Sequence, residues 1–173
     1  MPASYPSEGE SDVDLDEYHH PGTGSVVPVP PGWDRLEDPQ SGVALIAREP
    51  DDPAGFRANL VLTVDDLSSG LGLDEWQADS DRLLREELRN YFLLDREVMQ
   101  FGDRPVVRRV AHHASPDTGP VTMEQWAMVT GSTGYTLTAS VATLSYDSLA
   151  DVFSSIARRF RPGSTGHDDE EAT

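Results

Sequence analysis

Two adjacent histidines, His112 and His113, stand in "VVRRVAHHASPDTG", and imidazoles are the natural starting point for metal or acid–base chemistry. The surrounding pattern reads as a strand, where neighbouring side chains point to opposite faces, so the two rings cannot grip one ion without a bulge. The facing strand offers Glu124 to one of them, which makes an ordinary His–Glu contact and falls short of the ligand set of a zinc site. No metal and no catalytic residue is assigned here. His19 and His20 lie in the acidic stretch "DEYHHPG", which could at most hold metal weakly and adventitiously, and no structured site is expected there.

Other chemistries lack their residues. The chain has no cysteine, which removes thiolate metal sites, cysteine nucleophiles and disulfides. Its 13 basic residues are all arginine, so there is no lysine for a phosphate-binding loop or a Schiff base. Neither a Gly-x-Ser-x-Gly nucleophile turn nor a His-Glu-x-x-His helix is present. The glycines of "SSGLGLDEW" precede a helix start, but Asp74 and Glu75 would repel a phosphate there, and Asp74 with Gln77 has the form of a capping box. Asp65 and Asp66, like Asp51 and Asp52, read as solvated turn residues. No cofactor is expected.

Arg104, Arg108 and Arg109 form one basic cluster in a chain of net charge −18. Arg108 and Arg109 should project from opposite faces, one pairing with Glu97 or Asp95 across a hairpin, the other pairing internally or meeting an acidic partner. The net charge repels nucleic acid and anionic membrane surfaces. No apolar run approaches the ~20 residues of a membrane-spanning helix, and the first residues have no basic or apolar leader pattern. The chain therefore reads as cytoplasmic and soluble.

The elements that must position these residues follow from periodicity. Residues 1–25 and 163–173 are acidic and lack apolar spacing, so both read as disordered tails around one domain of residues 26–162. Within it, "SVVPVPPGW" reads as a short edge strand, and residues 42–48 and 57–64 as two more. A helix over 74–91 carries an apolar stripe of Trp76, Leu83, Leu84, Leu88 and Tyr91. Strands 92–101 and 104–115 join through Gly102 and Asp103, and strands 121–130 and 135–143 through "GSTG". A last helix over 146–159 places Leu149, Val152, Phe153, Ile156 and Phe160 at helical spacing.

Loops this short impose antiparallel pairing, so the expected fold is α+β: a mostly antiparallel sheet of about six to seven strands sandwiched with two main helices. A symmetric "GSTG" turn puts Trp126 and Met128 on the face of Tyr135, Leu137 and Ala139. The other face carries Gln125 beside Thr136, Thr138 and Ser140. That small polar face is either exposed sheet or the floor of a binding groove.

The element order, "VPPGW" ahead of the first long strands, "LLREELRNY" before a hairpin, and the ending "YTLTASVAT…LADVFSSIARRF" resemble the PsbP-like superfamily over residues 26–161. The nearest type is the LpqN-type proteins of actinobacteria, with the Eag-type secretion chaperones more distant. The resemblance implies an α/β sandwich used to bind proteins or assist complexes. This chain lacks the cysteine that carries lipid in the lipoprotein members. The expectation is a non-enzymatic interaction module, an adaptor or accessory protein with a protein partner; the alternative is a cytoplasmic chaperone for hydrophobic segments of secreted effectors, the outside reading a small hydrolase or metal enzyme, and a homodimer stays open. Candidate interaction residues are Gln125, Thr136, Thr138, Ser140, Arg108 and Arg109.

Overall fold

A computed structural model describes residues 12–50 and 55–164. A two-stranded ribbon is made by β1 (Asp16–His19) and β2 (Val26–Val29). The main sheet contains β3 (Asp34–Gln40), β4 (Val43–Arg48), β5 (Asn59–Asp66), β6 (Phe92–Phe101), β7 (Arg104–Ser115), β8 (Gly119–Thr130) and β9 (Thr133–Ala142). The helices are α1 (Leu73–Glu87), between β5 and β6, and α2 (Tyr146–Arg159), after β9. The fold is α+β, as the sequence implies.

The seven strands run antiparallel in the order β3-β4-β5-β9-β8-β7-β6. Chain neighbours pair within two meanders, β3-β4-β5 and β6-β7-β8-β9, through links of two or three residues everywhere except the longer β4–β5 connection, none long enough to impose a parallel crossover. The meanders meet along one seam, β5 with β9, from Asn59 opposite Ser140 to Asp66 opposite Thr133.

Each face of the sheet receives one helix. Trp126 and Ala127 are neighbours on β8, so they point to opposite sides, and they belong to two separate apolar clusters. On the first side, Phe153, Ile156 and Ala157 of α2 pack with Trp126, Leu137, Leu60 and Leu62. Val27 and Val29 of the ribbon complete that core. On the second side, Trp76 of α1 packs with Leu67 and Ala127.

Closing of the last hairpin is tighter than a symmetric "GSTG" turn: Thr130 pairs with Thr133, and Trp126 lies opposite Leu137. The shift from the expected register is two residues, and an even shift leaves every side chain on its expected face. Gly134 then lies under the Trp76 ring, where an added Cβ would come within 2.7 Å of two ring carbons. Gly134→Ala is therefore expected to destabilise the fold by about 1–3 kcal/mol through overpacking, read by denaturant titration.

Several expectations need correction. Residues 12–25 are part of the domain: Leu15 joins the core, β1 lies in the ribbon, and His20 and Ser25 are buried. Periodicity misses this because the segment is held mostly by polar bonds. Arg159 Nη1 donates to the Val13 carbonyl at 2.9 Å, and Arg35 stacks on the Tyr18 ring and pairs with Asp16. Gly163 is likewise buried, its N–H donating to Ser25 Oγ at 3.1 Å. Residues 1–11 and 165–173 lie outside the described residues, as do Asp51 and Asp52.

Strand β3, "DRLEDPQ", was not expected, since every one of its residues is exposed and no alternation marks it. α1 ends at Glu87 and not at Tyr91, with Asn90 at φ 53° turning the chain into β6. Its N-cap is Gly72, with no side-chain cap bond. The capping box is absent because Gln77 turns inward. Asp65 and Asp66 are the last residues of β5 and not a loop.

Candidate functional site

The histidine pair behaves as two strand positions. His112 lies opposite Thr122 and His113 opposite Val121, both half-buried. Burial pushes the His113 imidazole below its ordinary range. Glu124 faces Val110 and not a histidine.

Glu124 is instead the centre of an ionic cluster on the α2 side. Arg108 Nε donates to Glu124 Oε1 at 2.6 Å, and Arg108 Nη1 reaches Glu97 at 2.9 Å and Asp95 at 3.3 Å. Tyr146 donates its hydroxyl to Glu124 Oε2 at 3.0 Å. Burial alone would lower the Arg108 guanidinium, and the bonds to Glu124 and Glu97 outweigh it, raising its pKa. Its charge is thus met within the fold.

Tyr146 is raised to about 12, by burial first and by the Glu124 charge second. Tyr91, beside Asp81, and Tyr18, beside Glu37, are also raised to about 12, again chiefly by burial. A phenol that holds its proton more tightly when folded contributes stability that is whole below its unfolded value of 10.0 and lost as pH rises through about 12. Denaturant midpoints are expected to fall over that window, with tyrosinate absorbance of the folded protein rising later than that of the unfolded chain.

A third cluster, His20, Glu37 and Asp38, brings three potential ligand atoms within 4.8 Å of one another. Its hydrogen bonds oppose metal binding. The Thr23 N–H donates to His20 Nδ1 at 3.0 Å, so the ring proton sits on Nε2, which faces Asp38 Oδ1 at 3.1 Å. A ligating imidazole needs a lone pair on one nitrogen and a proton on the other; here the lone pair is spent on Thr23 and the proton points at the carboxylate. Glu37 also accepts from the Tyr18 hydroxyl. His20 is thus a structural hook of the ribbon, which corrects the expectation that this stretch has no structure. Elemental analysis of the purified protein is expected to find no stoichiometric zinc, iron or manganese, with thermal stability unchanged by chelator.

The α1 side of the sheet holds the remaining candidate residues. Arg109 is 1% exposed, and its Nη1 donates to Gln125 Oε1 at 2.9 Å and Gln77 Oε1 at 3.3 Å, its Nη2 to the Gln77 carbonyl at 3.1 Å. Asp81 lies 3.5 Å from Arg109 Nε. Burial pulls the Arg109 guanidinium below its ordinary value. Gln125 Nε2 donates onward to Thr138 Oγ1 at 3.0 Å. Arg108 and Arg109 therefore do sit on opposite faces, and both find partners inside the fold.

Beside this network, α1 and the sheet part to leave an open cleft of about 560 Å³. Its floor includes Gln125, Thr136 and Thr63, and Val43 contributes from the start of β4. The helix wall is Gln77, Ser80, Leu84 and Glu87, whose spacing forms one helical stripe, with Leu83 beside it. Of the polar face read from sequence, Gln125 and Thr136 line the cleft, Thr138 is held by Gln125, and Ser140 is buried outside it. Leu83 and Leu84 of the wall belong to the apolar stripe read from sequence, whereas Gln77, Ser80 and Glu87 carry no periodic signal that would place them there. In the fold only Trp76 and Gln77 of α1 are buried, and Leu83 is 44% exposed.

A sheet covered by a helix on each face, with an open cleft under one helix and internally paired arginines, defines an α/β sandwich. No protein-family model matches the chain, and no curated protein matches it significantly. Solved structures do. The solution structure of cyanobacterial PsbP (CyanoP) from Synechocystis sp. PCC 6803 aligns with a TM-score of 0.69 at 16% identity, covering 90% of this chain and 96% of that one. LpqN of Mycobacterium tuberculosis, involved in cell envelope biogenesis, aligns at 0.60 and 15% identity, covering 89% and 93%. The Saccharomyces cerevisiae Ran-binding protein Mog1p aligns at 0.61 and 14% identity, covering 88% and 97%. The chain has a PsbP-like fold. No helix among the described residues is long and apolar enough to cross a membrane.

Proposed function

We propose that this protein is a non-enzymatic interaction module, an adaptor or accessory protein of the cytoplasm that receives a protein partner in the cleft beneath α1. The observation that carries this reading is the cleft itself. It combines a leucine wall, exposed Leu83 and half-buried Leu84, with a floor of Gln125 and Thr136, the mixture of apolar contact and fixed hydrogen-bonding groups found at specific interfaces. Mog1p, named for Ran binding, shares the fold and supports a protein partner as the ligand class. The net charge of −18 opposes a nucleic-acid partner.

The exposed Leu83 also favours a second reading, a chaperone of hydrophobic segments of the Eag type. Such a role calls for an apolar floor, and the Thr and Gln floor supports the adaptor reading over it. The test is photo-crosslinking in the native host from position 83, with position 158 on the exposed side of α2 as control. A partner protein crosslinked from 83 and not from 158, and lost when Thr136→Arg fills the cleft, is expected. Equal crosslinking from both positions, or none from 83, would overturn the reading.

A further inference from the structure

Two strands end the main sheet, and only one of them is protected against further pairing. β3 is charged along most of its length, contains Pro39, and has an irregular register between Glu37 and Gln40 with Asp38 at φ 44°. Charge, proline and a bulge are the devices that keep an edge from recruiting another strand. β6 runs for 10 residues without proline, and its one irregularity lies between Leu93 and Asp95. No strand among the described residues pairs with its outer side. Phe92, Leu94 and Val98 on it are 65%, 48% and 57% exposed.

The register with β7 tells which backbone groups of β6 point outward. Phe101 opposite Arg104 closes the Gly102–Asp103 turn, which makes that pair hydrogen-bonded. Gln100 lies opposite Pro105, which has no N–H to give, and so belongs to a non-hydrogen-bonded pair. By alternation, Val98 opposite Val107 and Arg96 opposite Arg109 are non-hydrogen-bonded as well. The N–H and C=O groups of Arg96, Val98 and Gln100 therefore face away from β7, along the open edge. The carboxylates between them are already met within the fold, since Arg108 holds both Asp95 and Glu97.

We infer that β6 is a self-pairing edge, which joins two copies of this chain antiparallel about a two-fold axis at Val98. A two-fold axis normal to the sheet sets the edge against its own copy and keeps each face on its side. Among such registers, only the one centred on Val98 engages all three outward residues. Arg96 then faces Gln100 of the second copy, Val98 faces its own copy, and each pair exchanges N–H and C=O bonds. On the other face, Glu97 meets Met99 and Asp95 meets Phe101, so no like charges stand opposite one another. Centring the axis on Arg96 would oppose two guanidiniums and set Asp95 against Glu97, and centring it on Glu97 would oppose two carboxylates. This self-complementarity favours a second copy over a foreign strand. The joined sheet carries both α1 helices on one face, so both clefts open on the same side, and the pairing does not depend on what the clefts hold.

Sedimentation of the full chain from about 5 to about 500 µM is expected to show a reversible monomer–dimer equilibrium, because so short an edge contact buries less than the ~1,200 Å² of a standard interface. Val98→Lys and Val98→Glu change an exposed side chain whose N–H the fold does not use. Each alone is expected to weaken dimerisation by about tenfold or more, since like charges then meet on the axis. Their equimolar mixture is expected to restore it, because only an axial residue meets its own copy. In a chain without other thiols, Val98→Cys is expected to form a disulfide dimer with oxidised glutathione, whereas Leu144→Cys, 99% exposed and off the edge, is not. A monomer at every concentration would overturn the inference and leave the edge to another protein's strand. A dimer indifferent to Val98→Lys, a mixture that stays monomeric, or equal crosslinking from both cysteines would overturn it too. Crosslinking from position 83 reads the cleft alone, so the proposed function stands or falls separately.

Discussion

Replacing Trp126 or Phe153 by alanine is expected to cost roughly 3–5 kcal/mol each, the range for emptying a large buried aromatic site. Trp126 is 2% exposed and Phe153 is fully buried, and both belong to the core between the sheet and α2. Trp126 stands on β8, flanked across the strands by Arg108 and Leu137, so neither neighbour can swing in to refill the space without leaving its own partners. The double variant should lose less than the sum, because the two side chains share one core. Denaturant titration with an unchanged slope is the measurement. A loss below about 1 kcal/mol for both would contradict the side assigned to Trp126.

The second large effect belongs to Arg109. Arg109→Met is expected to destabilise the protein by about 3–5 kcal/mol, the usual penalty for removing one member of a buried charged network. The loss is chiefly that of the groups left behind: Gln77 Oε1 and Gln125 Oε1 would face one another without a donor, the Gln77 carbonyl would keep only its helix bond, and Asp81 would lose its inner cation. Arg109→Lys should recover little, since an ammonium cannot present the planar fork that reaches Gln77 and Gln125 together. Adding Gln77→Leu and Gln125→Leu to Arg109→Met should restore much of the stability, because a network replaced whole leaves no orphan. A single-variant loss under about 1 kcal/mol would mean that water reaches the guanidinium's partners.

What the sequence made legible was whatever alternation or helical spacing could carry. Strands β6 and β7 and helix α2 fall on their expected bounds because they have strong apolar periods and unambiguous Gly/Asp or Pro punctuation. Gln125, Thr136 and Thr138 were assigned to one face for the same reason, and they do share it. The ribbon, β3 and the inner face of α1 were not legible. Tyr18, His20, Arg35 and Glu37 are held by directional polar bonds, which leave no periodic trace in composition. Gln77 reads as a cap or a surface residue until Arg109, 32 positions away in the chain, is known to lie beneath it.

The single seam between β5 and β9 shapes how this molecule must fold. Within each meander, strand contacts form between residues close in sequence, whereas Asn59 meets Ser140 only after the whole of α1 and three strands have been looped out. Loop closure of that length is slow to be rewarded, so the rate-limiting step falls on joining two preformed half-sheets and not on forming either. α2 follows β9 in sequence, and its Phe153 and Ile156 share one core with Leu60 and Leu62 of the other half. Closure and helix docking are then expected to come together, so that alanine at Phe153 or Ile156 slows refolding while changes on β3 and β6, at the two outer edges, act mainly on unfolding.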